Sequence, residues 1–338
     1  MKSIKVGVIG VGTMGERHCR VYSSLRNVDL VGAADLNAKR GQAVAAEYDT
    51  QYFQDYQQLL DQVDAVSIVT TTPSHFTLAA EALTRSVHVL VEKPITENID
   101  QGAKLVELAE EHGKMLQVGH IERFNPVFLE LKNVIKDLPL IAVNIKRLSP
   151  FDTSNTDVDV IRDLMIHDLD LVINLLGRNF ESLSAWGRSI STKAVDHAVA
   201  NFSFIGGPVS TLFASRVTEQ KVRSIEVIAE GAYIEADLLG KTLLIHRRTF
   251  PEYVGKHNAG KYRQESIIEK IHVPMIEPLL LELRHFVECV SGKETCAVPG
   301  SDGVFALQLA QSISEQICLS QSFQQNILVS NLPQLTSI

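Results

Sequence analysis

The order of elements along the chain predicts an α/β protein, with a doubly wound parallel sheet at the N-terminus and an α+β domain of successive strands behind it. Three observations carry that prediction. Short β-branched runs alternate with helical patterns up to about residue 118, strand then follows strand from about residue 140, and 338 residues exceed what one core usually holds. Hydrophobic residues make up 45% and charged residues 21%, which is the balance of a soluble globular chain. The net charge of -8 argues against a general attraction to nucleic acid or an anionic membrane surface. Met1, Lys2 and Ser3 lead into a strand without a secretory apolar segment, and no apolar run reaches the ~18 residues of a membrane helix, so a cytoplasmic protein is expected. Cys19, Cys289, Cys296 and Cys318 lack close metal-ligand spacing and read as free thiols; no metal site is expected.

The first strand, Ile4 to Ile9, runs directly into Gly10-Val11-Gly12-Thr13-Met14-Gly15. This is G-x-G-x-x-G between a strand and a helix (Thr13 to Leu25), where glycines allow a tight turn and close approach of backbone to a pyrophosphate. A second strand, Leu30 to Ala34, ends at Asp35, an acid placed to hydrogen-bond adenosine ribose hydroxyls and to repel a 2'-phosphate. Lys39 is taken as the nearest cation. Strand, glycines, helix, strand and acid together indicate a Rossmann domain that binds NAD.

The alternation continues through helices near Lys39 to Tyr48 and Tyr56 to Leu60, strand Ala65 to Val69, and helix Ser74 to Thr84. Strand His88 to Val91, helix Ile99 to His112 and strand Met115 to Val118 complete it. Ligands of such sheets lie beyond the carboxyl ends of the strands, so Thr71-Thr72-Pro73-Ser74-His75, Glu92-Lys93-Pro94 and Gly119 to Arg123 should share one rim. Lys93, directly after a buried strand, meets that rim. His18 and His88 read as structural.

Ile161 to Gly177 reads as one nearly buried helix with a narrow polar stripe of Asp163, His167, Asp170 and Asn174. Around it lie candidate strands Ile141 to Arg147, Leu183 to Ser189, Ala198 to Phe204, Ser210 to Ser215, Ile225 to Ala229, Tyr233 to Asp237 and Thr242 to Arg247. Arg248 to Gln264 is polar and reads as a loop or interface arm; Leu279 to Val290 and Val304 to Leu319 read as late helices. Arg123, Arg216 and Arg223 are candidate phosphate ligands, Arg123 first because of its rim loop.

Gly10 to Gly15, Asp35, Thr72-Pro73-Ser74-His75, Glu92-Lys93-Pro94 and Asp163-Leu164-Met165-Ile166-His167 together resemble the Gfo/Idh/MocA oxidoreductases over almost the whole chain. The resemblance implies a Rossmann domain, expected at 1–122, and a substrate-binding and oligomerisation domain at 123–338 on a large, mostly antiparallel sheet. It implies NAD as cofactor, a sugar or cyclitol as substrate, and assembly into dimers or tetramers through that sheet. It also implies Lys93, Asp163 and His167 as the catalytic group. The cofactor would touch Gly10, Gly12, Thr13, Met14, Gly15, Asp35, Thr71, Thr72, Pro73, His75, Glu92 and Lys93. The substrate would touch Lys93, His120, Arg123, Asn125, Asp163 and His167. Many members carry glycine where this chain has Met165, whose thioether would either narrow the substrate space or point into the core. The run Gly119 to Pro126 is similar to the nucleotide-sugar branch, which implies oxidation of the 3-hydroxyl of a UDP-linked N-acetylhexosamine. Dehydrogenation of a free sugar or cyclitol, a non-catalytic NAD-responsive sugar-binding regulator, and a metal-dependent lyase or hydrolase are the competing readings.

Overall fold

A computed structural model describes residues 3–152, 158–248, 252–254, 261–263 and 266–330. Two compact units emerge, one of Met1–Pro126 with Met275–Gln308 and one of Val127–Pro274 with Leu309–Ile338. This differs from the expected 1–122 and 123–338, because a late segment returns to the first unit.

The first unit carries β1 (Ile4–Ile9), α1 (Thr13–Ser24), β2 (Val28–Ala34), α2 (Ala38–Glu47), β3 (Gln51–Phe53), α3 (Tyr56–Leu60) and β4 (Ala65–Ile68). Next come α4 (Thr72–Thr84), β5 (His88–Glu92), α5 (Ile99–Glu111) and β6 (Leu116–Gly119). Its six strands run in the order β3-β2-β1-β4-β5-β6, every pair parallel. Such a sheet is buried on both faces, which is why its strands read as unbroken apolar runs. One face of β1 packs with Tyr22 of α1 and with Leu279, Leu283, Phe286 and Val287. Those last four lie on α8 (Pro278–Val290), so the returning segment completes the core of the dinucleotide fold. Asn37, Asp55 and Asn98 cap α2, α3 and α5 by accepting backbone N–H bonds.

The second unit holds an eight-stranded sheet in the order β16-β13-β12-β11-β7-β10-β9-β8. Here β7 is Leu140–Leu148, β8 Phe180–Arg188, β9 His197–Phe204, β10 Val209–Ser215, β11 Val222–Ala229, β12 Ala232–Asp237, β13 Thr242–Arg248 and β16 Ser266–Ile271. All pairs are antiparallel except β7 with β10. A short hairpin of β14 (Glu252–Val254) and β15 (Lys261–Arg263) falls in the stretch expected to be a loop; the rest of 249–265 lies outside the described residues. Helix α6 (Pro126–Ile135), unanticipated from the sequence, buries Val127, Phe128 and Leu131, and the last helix, α9, spans Gly300–Ser330. Among the described residues no helix is long and apolar enough to cross a membrane.

Candidate active site

The turn after β1 has the shape its glycines require. Gly10 sits at a φ of +85°, and a side chain there would lie 2.6 Å from Thr70 Cγ2; a Cβ on Gly15 would collide with the Gly10 carbonyl. At Gly12 an added Cβ would meet nothing within 4 Å, and no side chain caps α1. The first N–H groups of α1 are thus presented beside open space, the arrangement that accepts a pyrophosphate.

Asp35 stands beside this turn. Its carboxylate accepts the Val11 N–H at 2.9 Å and the Asn37 N–H at 2.7 Å. Arg40 donates to it from Nε at 3.2 Å and from Nη2 at 2.9 Å. Arg40, not Lys39, is therefore the cation at this position. Burial opposes the charge on Asp35, but Arg40 and the two N–H groups outweigh it and hold the carboxyl below its usual range. The acid is ionised and aimed, and the glycine turn and Asp35 fit a dinucleotide with a free ribose 2'-hydroxyl.

The next strand ends are tied to one another. Thr71 precedes α4, with Thr72 and Pro73 opening the helix, and Ser74 Oγ donates to Thr70 Oγ1 at 2.6 Å. His75, expected to touch the cofactor, is buried with Nδ1 at 2.9 Å from the Pro94 carbonyl and Nε2 at 3.1 Å from that of Thr70. With both ring nitrogens on backbone carbonyls, His75 braces the loops after β4 and β5. The Lys93–Pro94 peptide is cis. Glu92 also has inward partners, since its Oε2 accepts the Lys93 N–H at 3.2 Å and its Oε1 lies 3.4 Å from Nε2 of buried His18. Burial disfavours the Glu92 carboxylate, but His18 and Lys93 reverse this and hold its pKa down. An added Cβ on Gly119 would sit 2.9 Å from that carboxylate, so glycine on β6 leaves the room that Glu92 occupies. His18, given no role from the sequence, belongs to this cluster; Lys93 itself is half-buried.

The rim loop after β6 folds differently from expectation. Ile121–Phe124 forms a 3-10 turn, and His120, Arg123 and Asn125 are all buried. Arg123 donates to the Ala297 carbonyl at 3.1 Å and to Asp302 at 2.9 Å, and only 6% of its side chain is exposed. Asn125 donates to Glu122 at 3.0 Å, while Phe124 packs on His285 with ring centroids 5.3 Å apart. The returning segment, 297 to 302, uses the guanidinium as a structural tie. Arg123, expected to bind a diphosphate, and Asn125, expected to touch the substrate, thus both have partners inside the protein. No sequence signal linked Arg123 to a partner 179 positions away.

In the second unit the single helix expected over 161–177 is two structures. Ile161–Met165 is a π-helical turn, in which the Ile166 N–H reaches the Ile161 carbonyl, and α7 follows as Ile166–Leu176. The phase of the polar stripe changes across that turn. Asp163 and His167 are half-buried, Asp170 is buried, and Met165 points into the core, which decides between the two readings of its thioether. Widened turns of this kind recur at functional sites.

Two buried ion pairs bracket the segment. Arg147 of β7 donates through Nε to Asp168, directly after His167, at 2.8 Å. Before the π turn, Arg216 donates to the Val158 carbonyl through Nη1 at 2.6 Å and to Asp196 through Nε at 2.8 Å. The Val160 N–H bonds the Val195 carbonyl, Asp159 Oδ1 accepts the Arg162 N–H at 2.7 Å, and Ser314 donates to Asp159 Oδ2 at 3.1 Å. Arg216 is thereby a clamp, not the phosphate ligand considered from the sequence. Among the described residues no group of three or more His, Cys, Asp or Glu side chains is arranged to hold a metal ion.

Residues 4–120 match the model of an oxidoreductase family with an NAD-binding Rossmann fold, and residues 147–235 match the GFO/IDH/MocA C-terminal domain. The chain is 38% identical over 248 residues to UDP-N-acetylglucosamine 3-dehydrogenase of Acidithiobacillus ferrooxidans, covering 73% of this chain and 78% of that protein. A solved structure of that name from the same organism superposes with a TM-score of 0.83 at 32% identity, covering 94% of this chain and 98% of the other. The scyllo-inositol 2-dehydrogenase (NAD+) of Bacillus subtilis is 27% identical over 90% of this chain and 92% of its own. With the glycine turn, the ionised acid and both halves of the chain matched, this protein belongs to the Gfo/Idh/MocA family of NAD-binding oxidoreductases.

Proposed function

We propose that the protein oxidises the 3-hydroxyl of a UDP-linked N-acetylhexosamine, in the class of UDP-N-acetylglucosamine. The observation that carries the substrate is the 38% identity to a relative named for that reaction, against 27% to an inositol dehydrogenase. Bound NAD supplies the hydride acceptor. His167, half-buried on α7, takes the hydroxyl proton as general base. Asp163, four residues earlier on the π turn, orients the imidazole or holds a neighbouring hydroxyl. Lys93 donates a hydrogen bond to the reacting oxygen and stabilises the negative charge that develops there. The four free thiols support a reducing, cytoplasmic setting. Exposed apolar residues on the second unit's strands, among them Ile141, Trp186, Val209 and Ile268, support assembly of two or four subunits through that sheet.

The test is NADH formation from a panel of nucleotide sugars and free sugars, with His167→Ala and Lys93→Ala beside the wild type. Each variant is expected to lose about 10²- to 10⁴-fold in turnover with NAD affinity nearly unchanged. Efficient oxidation of free inositol with no response to UDP-N-acetylglucosamine would move the substrate to the cyclitol class. Full NAD binding with no turnover on any sugar would favour the regulator reading.

A further inference from the structure

Arg123 and Arg216 are committed inside the protein, and Arg147 is paired with Asp168. Arg162 differs. It is half-buried, its Nε is fully shielded from solvent, and its side chain has no hydrogen-bond or ion-pair partner among the described residues. A shielded guanidinium N–H without an acceptor is costly, and the Arg162 Nε in a native fold calls for an explanation. Its backbone is well fixed, because the Arg162 N–H is held by Asp159 and the Ser314 hydroxyl holds the same carboxylate.

The π turn explains why the position matters. In a regular α-helix, residues five apart point roughly 140° away from each other at 3.6 residues per turn. The turn over Ile161–Met165 is closed by an i to i+5 bond, which widens the turn and brings residues five apart much closer to one side. Relative to a regular helix, Arg162 is thus swung toward the side of His167, with Asp163 between them in sequence. Ile161 and Met165 of the same turn are buried, whereas Arg162, Asp163, Leu164 and His167 are all half-buried.

We infer that Arg162 binds the diphosphate of a nucleotide-linked sugar, an inference that rests on the nucleotide-sugar reading above. In such a substrate the 3-hydroxyl and the diphosphate are separated by C3, C2, C1 and the anomeric oxygen. A base and an arginine side chain rooted on one helical turn can span that separation. Arginine is also suited to the task, since its planar fork meets two phosphate oxygens at once and lysine meets them as a point charge. The diphosphate supplies the acceptor that the guanidinium lacks within the protein.

The experiment is calorimetric titration of the full-length protein, with NAD present, using UDP as the probe. Wild type, Arg162→Ala and Arg162→Lys are compared, with circular dichroism confirming that each is folded. UDP binding is expected to weaken about ten- to a hundredfold in Arg162→Ala and less in Arg162→Lys. The Michaelis constant for UDP-N-acetylglucosamine should rise in parallel, with that for free N-acetylglucosamine and the NAD affinity unchanged. Wild-type UDP affinity in both variants would overturn the role of Arg162 while leaving the nucleotide-sugar reading intact. A wild type that neither binds UDP nor oxidises a nucleotide sugar would overturn both. Equal losses with free and UDP-linked sugar would make Arg162 a positioning residue for Asp163 and His167, and would likewise overturn the assignment.

Discussion

At the scale of single residues, the acid proposed to contact the adenosine ribose is already engaged. Asp35 gives both oxygens to Arg40 and to two backbone N–H groups, so ribose hydroxyls must share it with, or displace, a guanidinium whose side chain is 51% exposed. The arginine end of the pair is half in solvent and can swing away, and ribose hydroxyls then take its place on the buried carboxylate, so displacement costs NAD little. A 2'-phosphate would meet the same arginine, which softens the repulsion by Asp35. We expect tighter binding of NAD than of NADP in the wild type. Arg40→Ala should weaken NADP about tenfold and change NAD by a factor of about three or less. Fluorescence titration with both nucleotides checks this, and equal effects on the two would show that Arg40 does not meet the 2' position. The glycines and Asp35 were legible because each acts through local backbone geometry and lies within one strand-helix-strand unit. Arg40 was legible in principle, being five residues beyond Asp35. His75 and Arg123 were not, because a buried imidazole on two carbonyls and a surface ligand look alike until chain segments 19 and 179 positions away are placed.

At the scale of elements, the helical stretch bearing Asp163 and His167 is held before and just after those residues by arginines from neighbouring parallel strands. Arg147 pairs in register with Ala214 on β10, and Arg216 follows the end of that strand. Each holds a carboxylate, and Arg216 also holds the carbonyl two residues before the helix begins at Val160. Arg216→Lys keeps the charge but cannot serve Asp196, Thr192 and the Val158 carbonyl together. A fall in turnover of about ten- to a hundredfold is expected, with unchanged NAD affinity, because misplacing a catalytic group by about 1 Å has that effect. Normal turnover in a folded variant would show that the helix keeps its place without the clamp. Asp196 gives a separate signature. Burial opposes its charge, but the N–H groups of Ile190, Thr192 and Ser191 and the Arg216 guanidinium prevail and hold its pKa far below the usual range. A depressed folded pKa means that its stabilisation is complete above about pH 4 and is lost as pH falls through the folded value. Asp196→Asn should therefore lower stability by about 3–5 kcal/mol at neutral pH, with the gap to wild type closing only under strong acid. Denaturant titrations across pH measure it. The helix itself was legible in the sequence, but the π turn was not, since one widened turn leaves the apolar pattern almost unaltered and changes mainly which polar residues align.

At the scale of the whole molecule, the alternation of strands and helices gave the parallel sheet correctly, and successive strands gave the second sheet. The domain boundary was illegible for a specific reason. Helix α8 carries an ordinary amphipathic pattern, and nothing in Leu279, Leu283, Phe286 and Val287 says that the apolar face they cover belongs to β1, some 270 residues earlier. A fragment of residues 1–122 is expected to be poorly folded and to bind NAD weakly. Residues 1–126 joined by a flexible linker to 275–308 should bind NAD with the affinity of the full chain, and a tight-binding 1–122 fragment would show that α8 is dispensable. The same discontinuity sets a schedule for synthesis. About 180 residues separate Pro126 from Gln308. At 5–20 residues per second, that is about 10–40 s during which the sheet has been translated but its last covering helix has not. Most of the second unit is thus translated while an apolar flank of the nucleotide fold is still uncovered, which is the interval in which a chaperone that binds apolar surface would protect it.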